Sequence, residues 1–157
     1  MKIGVLFVCL GNICRSPMAE AIFRNLVESQ GKSEQFDIDS AGTGDWHIGD
    51  GPHQGTVQKL AEHHISTDGV FSRQIKQEDY DRFDYIVCMD NSNIQNALPM
   101  LGIKESSKVF RLLDLIQDPR DVPDPYFTGD FEETYQLCLE DCKALLQKIE
   151  ADIRSLS

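Results

Sequence analysis

Near the start of this sequence a cysteine and an arginine stand with five residues between them, Cys9 and Arg15 in the stretch V-C-L-G-N-I-C-R-S-P from Val8 to Pro17. A loop of that length closing onto a helix start points several backbone N–H groups at one spot, where the helix dipole also favours negative charge. An arginine at its end can grip two oxygens of a phosphate in a planar fork, as a lysine cannot. The thiol at the floor of such a nest is favoured as thiolate by the amides, the helix end and Arg15, and a thiolate is a nucleophile. Leu10, Gly11, Asn12, Ile13, Cys14, Arg15 and Ser16 are therefore the expected phosphate-binding residues. Gly11 and Asn12 tolerate the left-handed backbone that a tight nest demands.

Phosphate-ester cleavage by a thiolate also needs an acid for the leaving group. Asp124, between Pro123 and Pro125, is the candidate. Asp118 and Asp121 on the same stretch are its chemical competitors, and turn formation is the plain alternative for all three.

The elements that must position these residues follow from the hydropathy pattern. Ile3 to Val8 is a continuous apolar run, the mark of a strand buried on both faces of a parallel sheet and here its central strand. Pro17 suits the first turn of a helix, and Met18, Ile22 and Leu26 recur at four-residue spacing until Gly31. Phe36 to Asp39 reads as a second strand, and the glycine-rich stretch from Ala41 to His53 as a loop bearing the lone Trp46. Thr56 to His64 reads as helix, Asp84 to Met89 as strand, Asn91 to Leu101 as helix and Lys108 to Leu113 as a fourth strand. Asp118 to Gly129 reads as a long loop. Asp130 with Glu133 forms a capping-box pattern, followed by a helix whose apolar stripe is Phe131, Tyr135, Cys138, Cys142, Leu145, Ile149 and Ile153. The expected fold is α/β: one domain over residues 1–157, an open twisted parallel sheet of about four strands with helices on both faces and the phosphate loop after strand one. Ligands in such sheets bind beyond the carboxyl ends of the strands.

Composition narrows the partners. With 26 acidic against 15 basic residues the formal charge is −11, which repels nucleic acid and anionic lipid, so an anionic substrate must be drawn by a local site. No segment reads as a signal peptide or membrane span. Five cysteines without a disulfide or zinc-site spacing point to a reducing, cytoplasmic setting and to no metal. Cys88, Cys138 and Cys142 fall in strand or helix stripes and read as core. The four histidines, His47, His53, His63 and His64, show no chemical spacing and read as surface residues.

The stretch Cys9 to Ser16 resembles the C-x5-R-S signature of the low-molecular-weight protein tyrosine phosphatases. The resemblance runs on through D-S-A-G-T (Asp39 to Thr43), D-W (Asp45, Trp46), R-Q (Arg73, Gln74), M-D-N-S-N (Met89 to Asn93) and D-P-Y (Asp124 to Tyr126), and so covers the whole chain. It implies a phosphocysteine on Cys9, a phosphate clamp by Arg15, and Asp124 as general acid and then general base, with no cofactor. It implies that Asn12 braces the loop, that Ser16 hydrogen-bonds the thiolate, and that Ser40 joins them, although Ser40 also suits a strand-end turn. It implies a reversible Cys9–Cys14 disulfide guarding the nucleophile; a small side chain packed under the loop is the other reading of Cys14. Leu10, Trp46, Tyr126 and Phe127 would wall a cleft deep enough to prefer phosphotyrosine to phosphoserine.

Tyrosine-phosphorylated proteins are then the partners, inorganic phosphate and vanadate the inhibitors, and a monomer or weak dimer the expected state. Three positions depart from the family's pattern. Phe127 replaces the second tyrosine of D-P-Y-Y, Val70 a loop-bracing histidine, and Ile13 the threonine of relatives that act on phosphoarginine. Three rivals remain: a thioredoxin-coupled arsenate reductase, which needs further cysteines on a mobile segment; a phosphoryl carrier, which needs no acid; and a non-catalytic phosphotyrosine-binding module.

Overall fold

The computed structural model describes residues 2–116 and 121–156. Four strands, β1 (Ile3–Cys9), β2 (Phe36–Gly42), β3 (Tyr85–Cys88) and β4 (Val109–Arg111), form one sheet in the order β2-β1-β3-β4. Every pairing is parallel, and β1 is interior as its unbroken apolar run predicts. Val5 and Phe7 face one side of the sheet, Leu6 and Val8 the other. The first side is covered by α1 (Arg15–Ser29) and α6 (Phe131–Leu156), the second by α4 (Asn91–Leu101). Three short helices complete the order: α2 (Gln54–Ala61), α3 (Asp79–Arg82) and α5 (Pro125–Thr128). Phe7, Phe23 and Phe36 tie β1, α1 and β2 together through edge-to-face ring contacts at 5.8 and 5.6 Å.

Because β2 lies to one side of β1 and β3 to the other, the strand order reverses between β1 and β3. A crevice opens there, beyond the carboxyl ends of both strands.

Several boundaries move. β2 runs through Ser40 and Ala41 to Gly42 instead of ending at Asp39, because Ser40, Ala41 and Gly42 pair in register with Phe7, Val8 and Cys9. Gly42 is also bonded on its far side, its N–H to Arg73 O at 2.8 Å and its carbonyl to Ile75 N–H at 2.8 Å, which offsets glycine's poor strand propensity. β4 stops at Arg111, where the Asp114 carboxylate takes the Arg111 N–H at 3.1 Å and turns the chain into a 3-10 turn over Leu112–Ile116. The helix expected from Thr56 to His64 starts two residues earlier, capped by His53, and ends at Ala61, which is exposed. In α6, Asp130 accepts the Glu133 N–H at 2.9 Å as expected, but Ile153 at the end of the predicted stripe is 43% exposed.

Candidate active site

The residues from Cys9 to Arg15 connect β1 to α1, and both ends are buried: Cys9 and Arg15 are each 3% exposed. Asn12 alone in the loop adopts the left-handed conformation (φ 57°). The glycine beside it serves a different need from the one its type suggests, since a Cβ on Gly11 would lie 3.3 Å from Cδ2 of His47.

The Asn12 side chain organises the floor. Its Oδ1 accepts the Arg73 N–H at 3.0 Å, so its amide nitrogen faces Ser16 Oγ at 2.8 Å and Ser40 Oγ at 2.9 Å. Ser16 Oγ also hydrogen-bonds Cys9 Sγ, 2.9 Å away, and its hydroxyl hydrogen is available to donate to that sulfur when it is a thiolate. The Asn12 N–H donates to the same sulfur at 3.3 Å. Ser40 in turn donates to Glu20 Oε1 at 2.6 Å, and Glu20 Oε2 accepts from Arg24 Nε at 2.8 Å. Burial raises the pKa of the Glu20 carboxyl, against the hydrogen bonds from Ser40 and Arg24. Arg73 is itself held by Asp39 at 3.0 Å and by both oxygens of Asp79 at 2.9 and 3.0 Å. The thiol therefore lies at the end of a buried polar network whose outer anchors are ion pairs.

Arg15 is committed along one edge. Its Nη1 donates to Asp90 Oδ2 at 2.6 Å and to the Val122 carbonyl at 3.0 Å, while Nη2 lies 3.4 Å from Asp124 Oδ2. Its Nε is buried without a partner among the described residues, so the Nε and Nη2 edge is the one that can hold two oxygens of an anion. Burial opposes the Arg15 charge, but Cys9, Asp90 and Asp124 outweigh it and raise its pKa. Asp90 caps α4 in a capping box with Asn93, and so bridges the end of β3 to the arginine that closes the phosphate loop. This contact spans the β1/β3 reversal.

Asp124 caps α5, its Oδ1 accepting the Tyr126 N–H at 3.0 Å with Pro125 in the first helical position. Asp124, Tyr126 and Phe127 thereby join Cys9, Leu10, Gly11, Ile13, Cys14, Arg15, Trp46 and His47 around a cleft of about 400 Å³. Trp46 lies over Gly44, where a Cβ would fall 1.9 Å from its ring. Tyr126 meets the edge of His53 at 6.0 Å, and His53 stacks on Phe131 at 5.2 Å.

The model of the low molecular weight phosphotyrosine protein phosphatase family matches residues 4–155. The chain belongs to that family. The low molecular weight protein-tyrosine-phosphatase YfkJ of Bacillus subtilis is 52% identical over 152 residues, 96% of this chain and 97% of the relative. PtpA of Staphylococcus aureus (strain MRSA252) is 42% identical over 96% of each chain. The crystal structure of YfkJ superposes with a TM-score of 0.92 at 51% identity over 97% of each chain. That of an Entamoeba histolytica protein tyrosine phosphatase superposes with 0.87 at 32% identity, covering 96% of this chain and 99% of that one.

Within this phosphatase fold Cys9, Leu10, Gly11, Ile13, Cys14, Arg15, Asp124 and the three wall aromatics converge on one cleft, whereas Asn12 and Ser16, expected to touch phosphate, are buried beneath the loop with Ser40 bonded to Asn12. Asp121 lies elsewhere, accepting from Arg111 Nη1 and the Asn91 N–H at 3.1 Å each; Asp118 is outside the described residues. Cys14 is buried at the start of α1, and burial, with Asp124 and Cys9 nearby, pushes its thiol up to about 12. Cys88, Cys138 and Cys142 are fully buried, which pushes their thiols up as well.

Sequence reading missed Asp90, Glu20, His47 and His53. Asp90 stands in the M-D-N-S-N motif with no role assigned to it, and Glu20 lies inside the first turns of a helix. His63 is exposed but stacks on Tyr135 at 4.0 Å. Glu62, His63 and Glu132 are close enough together to hold a metal, but they are exposed and Lys59 Nζ already bridges the two carboxylates at 2.7 and 3.0 Å.

Proposed function

We propose that this chain is a single-domain protein tyrosine phosphatase, residues 1–157, that hydrolyses phosphotyrosine and small aryl phosphates through a phosphocysteine on Cys9. The observation that carries the reading is the Cys9 sulfur on the cleft floor, bonded by Ser16 Oγ and the Asn12 N–H, with Asp124 lining the same cleft. The phosphate occupies the loop from Cys9 to Arg15, its equatorial oxygens met by backbone N–H groups and by Nε and Nη2 of Arg15. Cys9 Sγ attacks phosphorus as the bond to the phenolic oxygen breaks, and Asp124 gives that oxygen its proton. Asp124, now a carboxylate, takes a proton from water as the water attacks phosphorus. The S–P bond breaks, phosphate leaves and the thiolate is restored. Arg15 and the amides offset the charge, so no metal or cofactor takes part.

Cys14 serves as a reversible guard: peroxide converts the Cys9 thiolate to a sulfenic acid, and the Cys14 thiol condenses with it to a disulfide, releasing water. The partners are tyrosine-phosphorylated proteins, with phosphate and vanadate as competitive inhibitors. No described helix is long and apolar enough to cross a membrane, and we place the protein in the cytoplasm as a monomer or weak dimer, away from nucleic acid. An arsenate reductase relay is disfavoured because Cys88, Cys138 and Cys142 lie buried within β3 and α6 rather than on a mobile segment.

The test is aryl phosphate hydrolysis in EDTA with mass spectrometry of rapidly quenched enzyme. Wild type is expected to turn over and carry phosphate on Cys9, and Cys9→Ser to fall to background while still binding phosphate. Asp124→Ala is expected to slow poor leaving groups by about 10²–10⁴ and good ones far less. Full activity in Cys9→Ser, or equal slowing of both leaving-group classes, would overturn the respective assignment.

A further inference from the structure

Exposed large apolar side chains are concentrated at one end of the molecule. Among the described residues Trp46, Ile48, Phe71, Tyr126 and Phe127 belong to segments at the cleft mouth, and only Ile153 and Leu156, at the end of α6, do not. Three of the five line the cleft itself. Ile48 (58% exposed) and Phe71 (63% exposed) do not, yet they are fastened beside it. Gly49 N–H donates to Ser72 O and Ser72 N–H to Asp50 O, both at 2.8 Å, so the two segments run as a paired strip. Ser72 Oγ then donates to the Gly11 carbonyl at 3.1 Å, locking that strip to the phosphate loop. Single exposed apolar residues are ordinary, but a contiguous group at a cleft marks a contact surface.

Charge says what it contacts. From residue 33 to 58 and from 121 to 142 the chain has no Lys or Arg, while Asp45, Asp50 and Asp130 stand exposed there and Asp121 is taken up by Arg111. A second copy of this chain, at a formal charge of −11, would be repelled, as would an anionic lipid surface.

We propose that Ile48 and Phe71 form a docking strip for the residues that flank the phosphotyrosine, selecting substrates with apolar and basic neighbours over acidic ones. The inference rests on the phosphatase reading above. The phosphotyrosine ring fills the aromatic cleft, an adjacent apolar side chain covers the strip, and Lys or Arg beyond it meets the aspartates of the mouth.

The test compares kcat/KM for an aryl phosphate and for phosphotyrosyl peptides of equal length with Leu and Lys, or Asp and Glu, around the phosphotyrosine. Wild type is expected to prefer the first peptide, with the gap narrowing in high salt. Ile48→Ser and Phe71→Ser should each lower kcat/KM for the Leu/Lys peptide about 3–10-fold, as for a half-buried apolar contact. Aryl phosphate turnover and Tm should hold. Asp45→Asn should narrow the gap between peptides.

Equal rates on both peptides, or equal loss on aryl phosphate and peptide, would overturn the docking strip while leaving the phosphatase reading intact. Wild type that turns over none of the substrates would overturn both. Concentration-dependent dimers abolished by Ile48→Ser would overturn it in favour of self-association.

Discussion

The floor and the walls of the cleft are built on opposite principles. On the floor, Cys9, Asn12, Arg15 and Ser16 are each at most 3% exposed and are fixed by hydrogen bonds reaching Ser40, Glu20, Arg73 and Asp90. On the walls, Trp46, Tyr126 and Phe127 are 57–76% exposed and held by ring contacts and loop backbone. The difference follows from what each must do. Stabilising charge that develops on a phosphoryl group requires donors already in place, because reorienting them during reaction would cost the rate they supply. Accepting an aryl ring requires only apolar area, which tolerates looser geometry. Damage to the floor should therefore appear in chemistry and stability together, and damage to the walls in binding alone.

The largest expected effect comes from Asn12→Ala. It leaves the Arg73 N–H and two buried hydroxyls short of a partner and puts a poorly suited residue at φ 57°, for a loss of about 2–4 kcal/mol in urea unfolding. Aryl phosphate kcat should fall in the same variant, because Ser16 and Ser40 lose the amide that positions them. Asn12→Gly, which accepts the backbone angle, isolates the side-chain share, and an unchanged kcat in both would break the contrast.

A smaller effect is expected from Trp46→Ala: KM for aryl phosphates up about 3–10-fold, with kcat and Tm nearly unchanged. A large fall in kcat would mean that the wall also orders the floor.

The smallest is Glu20→Gln, read as Tm against pH. The folded pKa of Glu20 is raised by burial, so the folded state holds its proton more tightly than the unfolded chain. That contribution is complete below the unfolded pKa of about 4.3 and is lost as pH rises through the folded value. Glu20→Gln should therefore compare better with wild type at pH 7 than at pH 4, by about 1–3 °C. A flat difference would show that Arg24 fully offsets the buried charge.

The walls were more legible in sequence than the supports of the floor. Trp46, Tyr126 and Phe127 announce themselves as aromatic residues in glycine- and proline-rich loops, and the cleft uses all three. Glu20 gives no such signal, and the M-D-N-S-N motif that contains Asp90 does not say what Asp90 meets. Each is an ordinary helix residue or cap until the fold brings Ser40 to one and Arg15 to the other, 20 and 75 positions away in the chain. His53 is similar: its role in steadying Tyr126 depends on Phe131 stacking against it from another helix. The extension of β2 to Gly42 was equally invisible, since glycine joins a strand only when neighbours on both sides supply its bonds.

What the sequence determined by itself was local. The apolar run of β1, Pro17 in the first turn of α1, the left-handed Asn12 and Asp124 before Pro125 each depend on a few adjacent residues. Tertiary structure alone decided which carboxylates meet Arg15 and which edge of its guanidinium stays open. It also decided how a buried chain of hydroxyls and amides brings the Ser16 hydroxyl against Cys9. Those outcomes depend on contacts between strands and helices far apart in the chain, and the pairing energy of a buried polar group exists only once its partner has been brought within hydrogen-bond distance.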